Sequence, residues 1–156
     1  MPRTLTASAA SFVLIGAAAA QDMIRVEPGL WSYENTMSGT ATMPGSPPFN
    51  LPPTTSNDTD CITPDETEIT PERMIREMRE DGGGECEYDD ITFSGNTMST
   101  NMTCVADGMN MSGDYTFEVS DDGRAGTGTL DLNGVAEGMT ITSTFILRGR
   151  WVEPCN

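Results

Sequence analysis

The residues in this chain whose type and spacing most clearly predict chemistry are its four cysteines. Cys86 and Cys104 lie equally far from Gly95, in the middle of a Ser-Gly-Asn turn. If the chain reverses at that turn, the two thiols face each other across a β-hairpin, within the Cα separation that a disulfide requires. Cys61 and Cys155 are then left to form a second disulfide. A zinc site with four thiolate ligands is a poor alternative, because the chain has no Cys-x-x-Cys pair.

The chain contains no histidine and no lysine. This excludes Ser-His-Asp and Cys-His nucleophilic sites, histidine-ligated zinc, Schiff bases and the P-loop lysine. The glycine-rich run 123–128 lies between two predicted strands with no helix after it, so a hairpin explains it better than a nucleotide-binding loop. Carboxylates are plentiful, but nothing singles out a pair for glycoside hydrolysis. We therefore predict a protein that is not an enzyme, with no catalytic residue, no cofactor and no dedicated metal site.

The N-terminus has the composition of a secretory signal peptide. Arg3 precedes a small, apolar run that ends at Ala20, and Ala18 and Ala20 satisfy the small-x-small rule for cleavage before Gln21. Beyond Ala20, no apolar stretch is long enough to span a bilayer. We expect export from the cytoplasm to an oxidising compartment, where the cysteines would form disulfides.

The exported chain is strongly acidic. The sequence has 8 basic residues, all arginine, against 24 aspartates and glutamates, so removal of residues 1–20 with Arg3 leaves a net charge of 7 − 24 = −17. Such a chain repels phosphate backbones, so nucleic acid is not an expected partner. The remaining residues 21–156 suffice for a single β-rich domain held by two disulfides.

Turn dipeptides and alternating residues predict the sheet. Asp107-Gly108, Asp122-Gly123 and Asn133-Gly134 tolerate the positive φ that tight hairpin turns demand. Pairing across the second turn places Val119 opposite Gly126, and large side chains over strand glycines indicate a curved sheet. The strand that begins at Cys86 breaks phase, which predicts a β-bulge near Asp89-Asp90.

Three different segments precede this meander. The run 29–34 alternates and predicts a strand with Trp31 and Tyr33 pointing inward. Residues 40–60 are rich in Pro, Thr and Ser and predict a flexible surface loop. Helix-start signals occur at 63–66 and again at 70–72, and the second helix is expected to end near residue 82, with an apolar stripe of Met74, Ile75 and Met78. The fold class predicted is mainly β, a curved antiparallel meander of barrel-like or half-barrel shape with one or two short helices.

One side of the predicted sheet carries the large apolar side chains, and this side is the candidate face for an apolar ligand. Its members are Met98, Met102, Met111, Tyr115, Phe117, Met139 and Phe145. Methionine suits an adaptable pocket because its thioether is flexible and polarizable. The same side chains could equally fill a core.

Three functions remain open at this stage. The first is a module that binds an apolar or amphipathic small molecule inside the curved sheet. The second is an interaction partner for another protein of the cell envelope. The third is Cu(I) binding, since Met109 and Met111 lie on one face near Met102 and thioethers select this soft ion. The oligomeric state is not predicted.

Several short motifs resemble a known family. They are Glu27-Pro28-Gly29-Leu30-Trp31, Met37-Ser38-Gly39, Cys61-Ile62-Thr63-Pro64, the central Cys86 and Cys104, and a last cysteine next to the C-terminus. In order and spacing they resemble a family of small exported proteins of Gram-negative bacteria that is catalogued only as a domain of unknown function. The similarity runs from about Glu27 to Cys155. It implies a periplasmic domain with paired cysteines, and it assigns no catalytic residues.

Overall fold

The structure, a computed structural model, describes residues 23–81, 85–106 and 108–155. The predicted signal peptide, residues 1–20, lies outside the described residues. The elements in chain order are β1 (Ile24–Arg25), β2 (Gly29–Thr42), β3 (Phe49–Ile62), β4 (Glu68–Ile69), α1 (Pro71–Asp81), β5 (Glu85–Ser94), β6 (Thr97–Ala106), β7 (Met109–Val119), β8 (Ala125–Ala136) and β9 (Met139–Glu153).

Seven of the strands form one antiparallel sheet in the order β3-β2-β9-β8-β7-β6-β5. Strands β5 to β9 follow each other as a meander, and β9 then pairs with β2, so the chain's first long hairpin completes the sheet. The short strands β1 and β4 pair separately. This architecture confirms the predicted curved antiparallel meander; the sheet stays open, with β3 and β5 at its edges.

The register of the meander follows the predicted hairpins. Cys86 lies opposite Cys104, and Val119 lies opposite Gly126. The predicted bulge is present, because the β5–β6 register shifts between Asp89 and Thr92. The buried hydroxyl of Thr100 donates a hydrogen bond to the Asp89 carbonyl at 2.8 Å, which satisfies a backbone group that the bulge removes from the ladder.

The proline-rich segment is not the flexible loop that its composition predicts. Residues 49–62 form β3, a 14-residue edge strand paired with the equally long β2. Proline is tolerated there because β3 has a neighbour on one side only. In addition, the register shift between Met37 and Gly39 places Pro52 and Pro53 together opposite Ser38, at a bulge where the regular ladder is interrupted.

One turn prediction was wrong in position and another in length. Asn133-Gly134 lies inside β8, and the chain reverses at Glu137-Gly138, with φ of 51° and 77°. A Cβ at position 134 would collide with the backbone carbonyl oxygen of Asn110, so the glycine there permits close strand approach rather than a turn. After Val119 the loop is longer than the predicted two residues, and its register is unchanged.

The first predicted helix is a single turn. Thr63 and Glu66 make the contacts of a capping box, with the Thr63 N–H donating to Glu66 Oε2 at 2.8 Å. The chain then continues into β4, so this box closes a turn instead of starting a helix. The second predicted helix is confirmed. Pro71 begins α1, and the Thr70 carbonyl accepts a hydrogen bond from the Met74 N–H at 3.0 Å.

The hydrophobic core lies at one end of the sheet. Its buried members are Ile24, Val26, Trp31, Met98 and Val119. The β1–β4 pair and α1 lie over this end, and Met74 of α1 packs against the cluster. We call it the covered end. The side chain of Met78, from the predicted apolar stripe, lies outside the described residues.

The corner between β1 and β2 is fixed by both tryptophans. The Trp31 indole N–H donates to the Glu27 carbonyl at 2.9 Å, and the Trp151 indole N–H donates to the Pro28 carbonyl at 3.0 Å. Gly29 has a φ of 145°, and the Trp151 indole occupies the space that a Cβ would need. The Pro-Gly-Leu-Trp motif therefore has a structural role in joining β1 to the sheet.

Two disulfides hold the sheet, one near each end of its strands. They join Cys61 to Cys155 and Cys86 to Cys104, which is the predicted pairing. Such bonds indicate that the chain folds in an oxidising compartment. Within the described ranges, no helix combines the length and the apolar character needed to cross a bilayer.

Candidate functional site

The predicted apolar ligand face is divided by the structure between two regions. Met98 is completely buried in the core, and Tyr115 and Phe117 lie beside it at the covered end. The remaining predicted members lie outside this core cluster on the same face: Met102, Met111, Met139 and Phe145. We call that region, together with Met37 and Ala41, the far end. The predicted residues therefore do not form one pocket.

A cleft of about 380 Å³ opens between α1 and the covered end of the sheet. Tyr115 and Phe117 line it, as do Trp31 and Tyr33, the two aromatic residues predicted to point inward from β2. The cleft falls within the size range of small-molecule sites, about 300–1,000 Å³. Its aliphatic walls come from both layers: Val26, Ile62, Ile69, Met74 and Leu147.

The floor of the cleft is made of aromatic rings that lie over glycines of neighbouring strands. A Cβ on Gly149 would approach the Tyr33 ring to 3.0 Å, and a Cβ on Gly126 would approach the Phe117 ring to 3.2 Å. The rings of Tyr33 and Phe117 therefore fill the space that a side chain at these glycines would occupy. The Trp31 and Tyr33 rings are themselves stacked, with centroids 6.2 Å apart and an interplanar angle of 15°.

Four charged side chains also line the cleft: Asp60, Glu66, Arg73 and Glu77. Arg73 and Glu77 are one turn apart on α1, and Arg73 Nε lies 2.6 Å from Glu77 Oε1. The side chain of Arg73 is 21% exposed and that of Glu77 is 43% exposed, so the pair lies at the boundary between cleft and solvent.

The carboxylates of the cleft are held by local hydrogen bonds. Glu66 Oε2 accepts from both the N–H and the hydroxyl of Thr63, and these bonds lower the pKa of the Glu66 carboxyl. Asp60 Oδ1 accepts from the Cys61 N–H at 2.8 Å. The capping-box sequence 63–66 and the cysteine that follows Asp60 thus fix two acidic groups beside the aromatic floor.

Burial changes the acidity of the two tyrosines in the cleft. Desolvation raises the pKa of Tyr115 to about 12. Desolvation, with a smaller contribution from the negative charge of Asp60, raises the pKa of Tyr33 to about 12. Both phenols are therefore neutral at physiological pH, and among the described residues neither hydroxyl has a hydrogen-bond partner.

Sequence reasoning found the aromatic floor of this cleft but missed its charged residues. Arg73 and Glu77 belong to the recognised helix, and their i, i+4 spacing was an available signal that was not used. Asp60 was hidden because its segment was expected to be a loop. Its position follows from the β2–β3 register, which places Asp60 opposite Trp31.

The methionines proposed as Cu(I) ligands lie at the far end. Met111 is opposite Cys104, and Met102 is two residues from that cysteine on β6. Met109 is on the same strand face as Met111, which is itself 7% exposed. Within the described part of the chain, no group of three or more His, Cys, Asp or Glu residues is arranged to hold a metal ion.

Comparison with known proteins gives a family but no activity. No curated protein and no solved structure matches the chain. A family model described as "Protein of unknown function (DUF3617)" matches residues 26–155. This range contains β2, with the Pro-Gly-Leu-Trp corner, all four cysteines and every residue named above as lining the cleft. The chain belongs to the DUF3617 family of proteins of unknown function.

Proposed function

We propose that this protein is an exported, periplasmic binding module that holds a small amphipathic molecule in the cleft between α1 and the sheet. The observation that carries the proposal is the cleft itself: a space of about 380 Å³ with aromatic and aliphatic walls and a few charged groups. Such a combination is typical of small-molecule sites. The periplasmic location rests on the signal-peptide composition and the two disulfides.

The proposed role is binding rather than catalysis. The candidate polar groups of the cleft are carboxylates, one guanidinium and two phenols whose raised pKa keeps them neutral. A neutral phenol donates a hydrogen bond well and is a weak nucleophile or base. These groups suit the orientation of a polar head group above an apolar floor.

The test uses the methionines as reporters. The chain is produced with ¹³C-labelled methionine methyl groups in its disulfide-bonded form and titrated with N-phenyl-1-naphthylamine, a neutral apolar probe. Met74 lines the cleft, whereas Met102 and Met139 mark the far end. We expect the Met74 methyl signal to shift with saturation and the two far-end signals to stay in place. Each signal is assigned by a single Met→Leu substitution.

Either of two results would contradict the proposal. Shifts confined to Met102 and Met139 would show that the ligand binds at the far end of the sheet face. An absence of any shift up to the solubility limit of the probe would favour a protein that acts through contacts with other envelope proteins.

Cu(I) binding is the second candidate, carried by the placement of Met102, Met109 and Met111 on one face around Cys104. Thioether ligands select this ion. The same labelled sample is titrated with Cu(I) in an oxygen-free buffer that contains ascorbate. The methyl signals of these three methionines should then shift. Unchanged spectra at equimolar Cu(I) would dismiss this candidate.

A further inference from the structure

We infer that the cleft is built for an organic cation, such as an amphiphile with a quaternary ammonium head group. This inference rests on the proposed function and adds the chemical class of the ligand. It combines two features of the cleft: its charge balance, which includes the pairing of its arginine, and its aromatic lining.

The charge balance of the cleft is negative. Among the described side chains that line the cleft, three carboxylates, those of Asp60, Glu66 and Glu77, stand against one guanidinium, that of Arg73. The Thr63 hydrogen bonds lower the pKa of Glu66, which keeps that carboxyl ionised. A cationic head group would therefore enter a region of favourable potential.

The arginine is already paired with one carboxylate. Its Nε is 2.6 Å from the Glu77 carboxylate, and its side chain is only 21% exposed. An anionic head group would have to compete with that carboxylate and would also face Asp60 and Glu66. Carboxylate and sulfate amphiphiles are therefore disfavoured ligands.

The aromatic floor adds attraction that is specific to weakly hydrated cations. The Tyr33 and Phe117 rings lie over Gly149 and Gly126, and both residues line the cleft. The face of an aromatic ring carries negative charge density and attracts a cation within about 6 Å of its centroid. Quaternary ammonium groups benefit most, because they lose little hydration when they leave water.

The raised pKa of Tyr33 agrees with this electrostatic description. The charge of Asp60 contributes to it by disfavouring a second negative charge at the phenol, after the larger effect of desolvation. Desolvation disfavours a charge of either sign, so only the Asp60 contribution reports a negative local potential, which favours a cation.

The experiment compares three amphiphiles with the same ten-carbon chain: decyltrimethylammonium, decyl maltoside and decanoate. Each is titrated below its micelle concentration into the disulfide-bonded, methionine-labelled chain, and affinity is measured by calorimetry at constant ionic strength. We expect decyltrimethylammonium to bind at least about tenfold more tightly than decyl maltoside, since a charge pair and a cation–π contact each add to the shared apolar term. We also expect decanoate to bind most weakly. Each ligand that binds should shift the Met74 methyl signal.

The outcomes separate this inference from the proposed function. Equal affinity for the cation and the maltoside, with shifts at Met74, would overturn the cation inference and leave the binding module standing. Tightest binding of decanoate would do the same. A Met74 signal that none of the three ligands moves would overturn both.

Matched substitutions distinguish binding of the cation in the cleft from its non-specific attraction to an acidic protein. Glu77→Gln and Glu66→Gln each remove one carboxylate of the cleft, and glutamine retains the capping-box contact at 66. Each should weaken decyltrimethylammonium binding about fivefold, as for a partly exposed charge pair. Glu118→Gln makes the same charge change on an exposed strand position outside the cleft and should leave affinity unchanged. Equal losses in all three variants would show a non-specific effect and overturn the inference.

A second pair of variants tests the ring itself. Tyr33→Phe keeps the aromatic ring and should retain the preference for decyltrimethylammonium over decyl maltoside. Tyr33→Leu keeps apolar volume but removes the ring, and it should reduce that preference about threefold. If both ligands lose equally, the ring contributes only apolar contact and the cation–π argument fails.

Discussion

The two ends of the sheet's apolar face obtain their burial in different ways. At the covered end, β1, β4 and α1 supply a second layer, and Trp31 and Met98 are at most 2% exposed beneath it. At the far end, Met111 and Ala41 are also buried, but they lie outside the core cluster, and Met37 is 45% exposed. One continuous apolar face is therefore core at one end and partly surface at the other.

The glycines of the two ends show how each kind of burial arises. At the covered end, the space above Gly149 is taken by the rings of Tyr33 and Trp31, which are side chains. At the far end, a Cβ on Gly113 would collide with the backbone carbonyl oxygen of Asp131 on the next strand. The covered end is thus packed by side chains against added elements, whereas at the far end the backbones of adjacent strands approach each other closely.

Removal of each disulfide gives the largest expected contrast between the ends. Cys61–Cys155 encloses 94 residues near the covered end, and Cys86–Cys104 encloses 18 at the far end. The chain-entropy relation gives about 4–5 kcal/mol for the longer loop and about 3 kcal/mol for the shorter one. Paired Cys→Ala variants, compared by urea unfolding, should show this order. A larger loss of stability when Cys86 and Cys104 are replaced would show that this disulfide stabilises the far end by more than loop closure.

Truncation of one methionine at each end tests whether the burial difference is energetic. Met98→Ala removes a completely buried side chain from the core and should lower the free energy of unfolding by about 2–5 kcal/mol. Met37→Ala, at a 45% exposed position on the same face, should cost less than about 1 kcal/mol. Both losses in the free energy of unfolding are measured by urea unfolding, with the m value unchanged between the variants. Equal losses would mean that the far end is also packed as a core.

The alkaline stability of the protein reports on the covered end through Tyr115. Desolvation raises the pKa of Tyr115 to about 12, above the value near 10 of an unfolded tyrosine. The folded state therefore holds this proton more tightly. This difference contributes about 3 kcal/mol to the free energy of unfolding below pH ~10, and the contribution is lost as pH rises toward ~12. The fall in stability across this window should be smaller in Tyr115→Phe. A phenol that titrates near pH 10 at 295 nm in the folded protein, but is missing from folded Tyr115→Phe, would show that Tyr115 is exposed to solvent.

The meander was predictable because its signals are local. The spacing of Cys86 and Cys104 about Gly95, and the alternation along β6 and β7, fix which side of each strand is apolar. A register error of one residue would invert that sorting. Local pattern and global pairing agree there, so the sequence alone predicted both the hairpin and the disulfide.

The parts that were missed depend on which strands become neighbours. The strand that contains Pro52 and Pro53 is possible because it lies at an edge, and edge status is a property of the whole sheet. Gly134 looked like a turn residue, but its role is set by close contact with Asn110 on another strand. Likewise, the charged groups of the cleft meet only once α1 is placed on the sheet.

Both edges of this open sheet carry features that disfavour growth by addition of another chain. β3 exposes a bulge with two prolines, which have no N–H to offer an incoming strand. β5, at the opposite edge, is interrupted by the bulge after Asp89 and carries the exposed carboxylates of Glu87, Asp89 and Asp90. A half-closed sheet would otherwise be a template for intermolecular β-pairing. The proline-rich composition of β3 is therefore a protection against aggregation, achieved without closing the barrel.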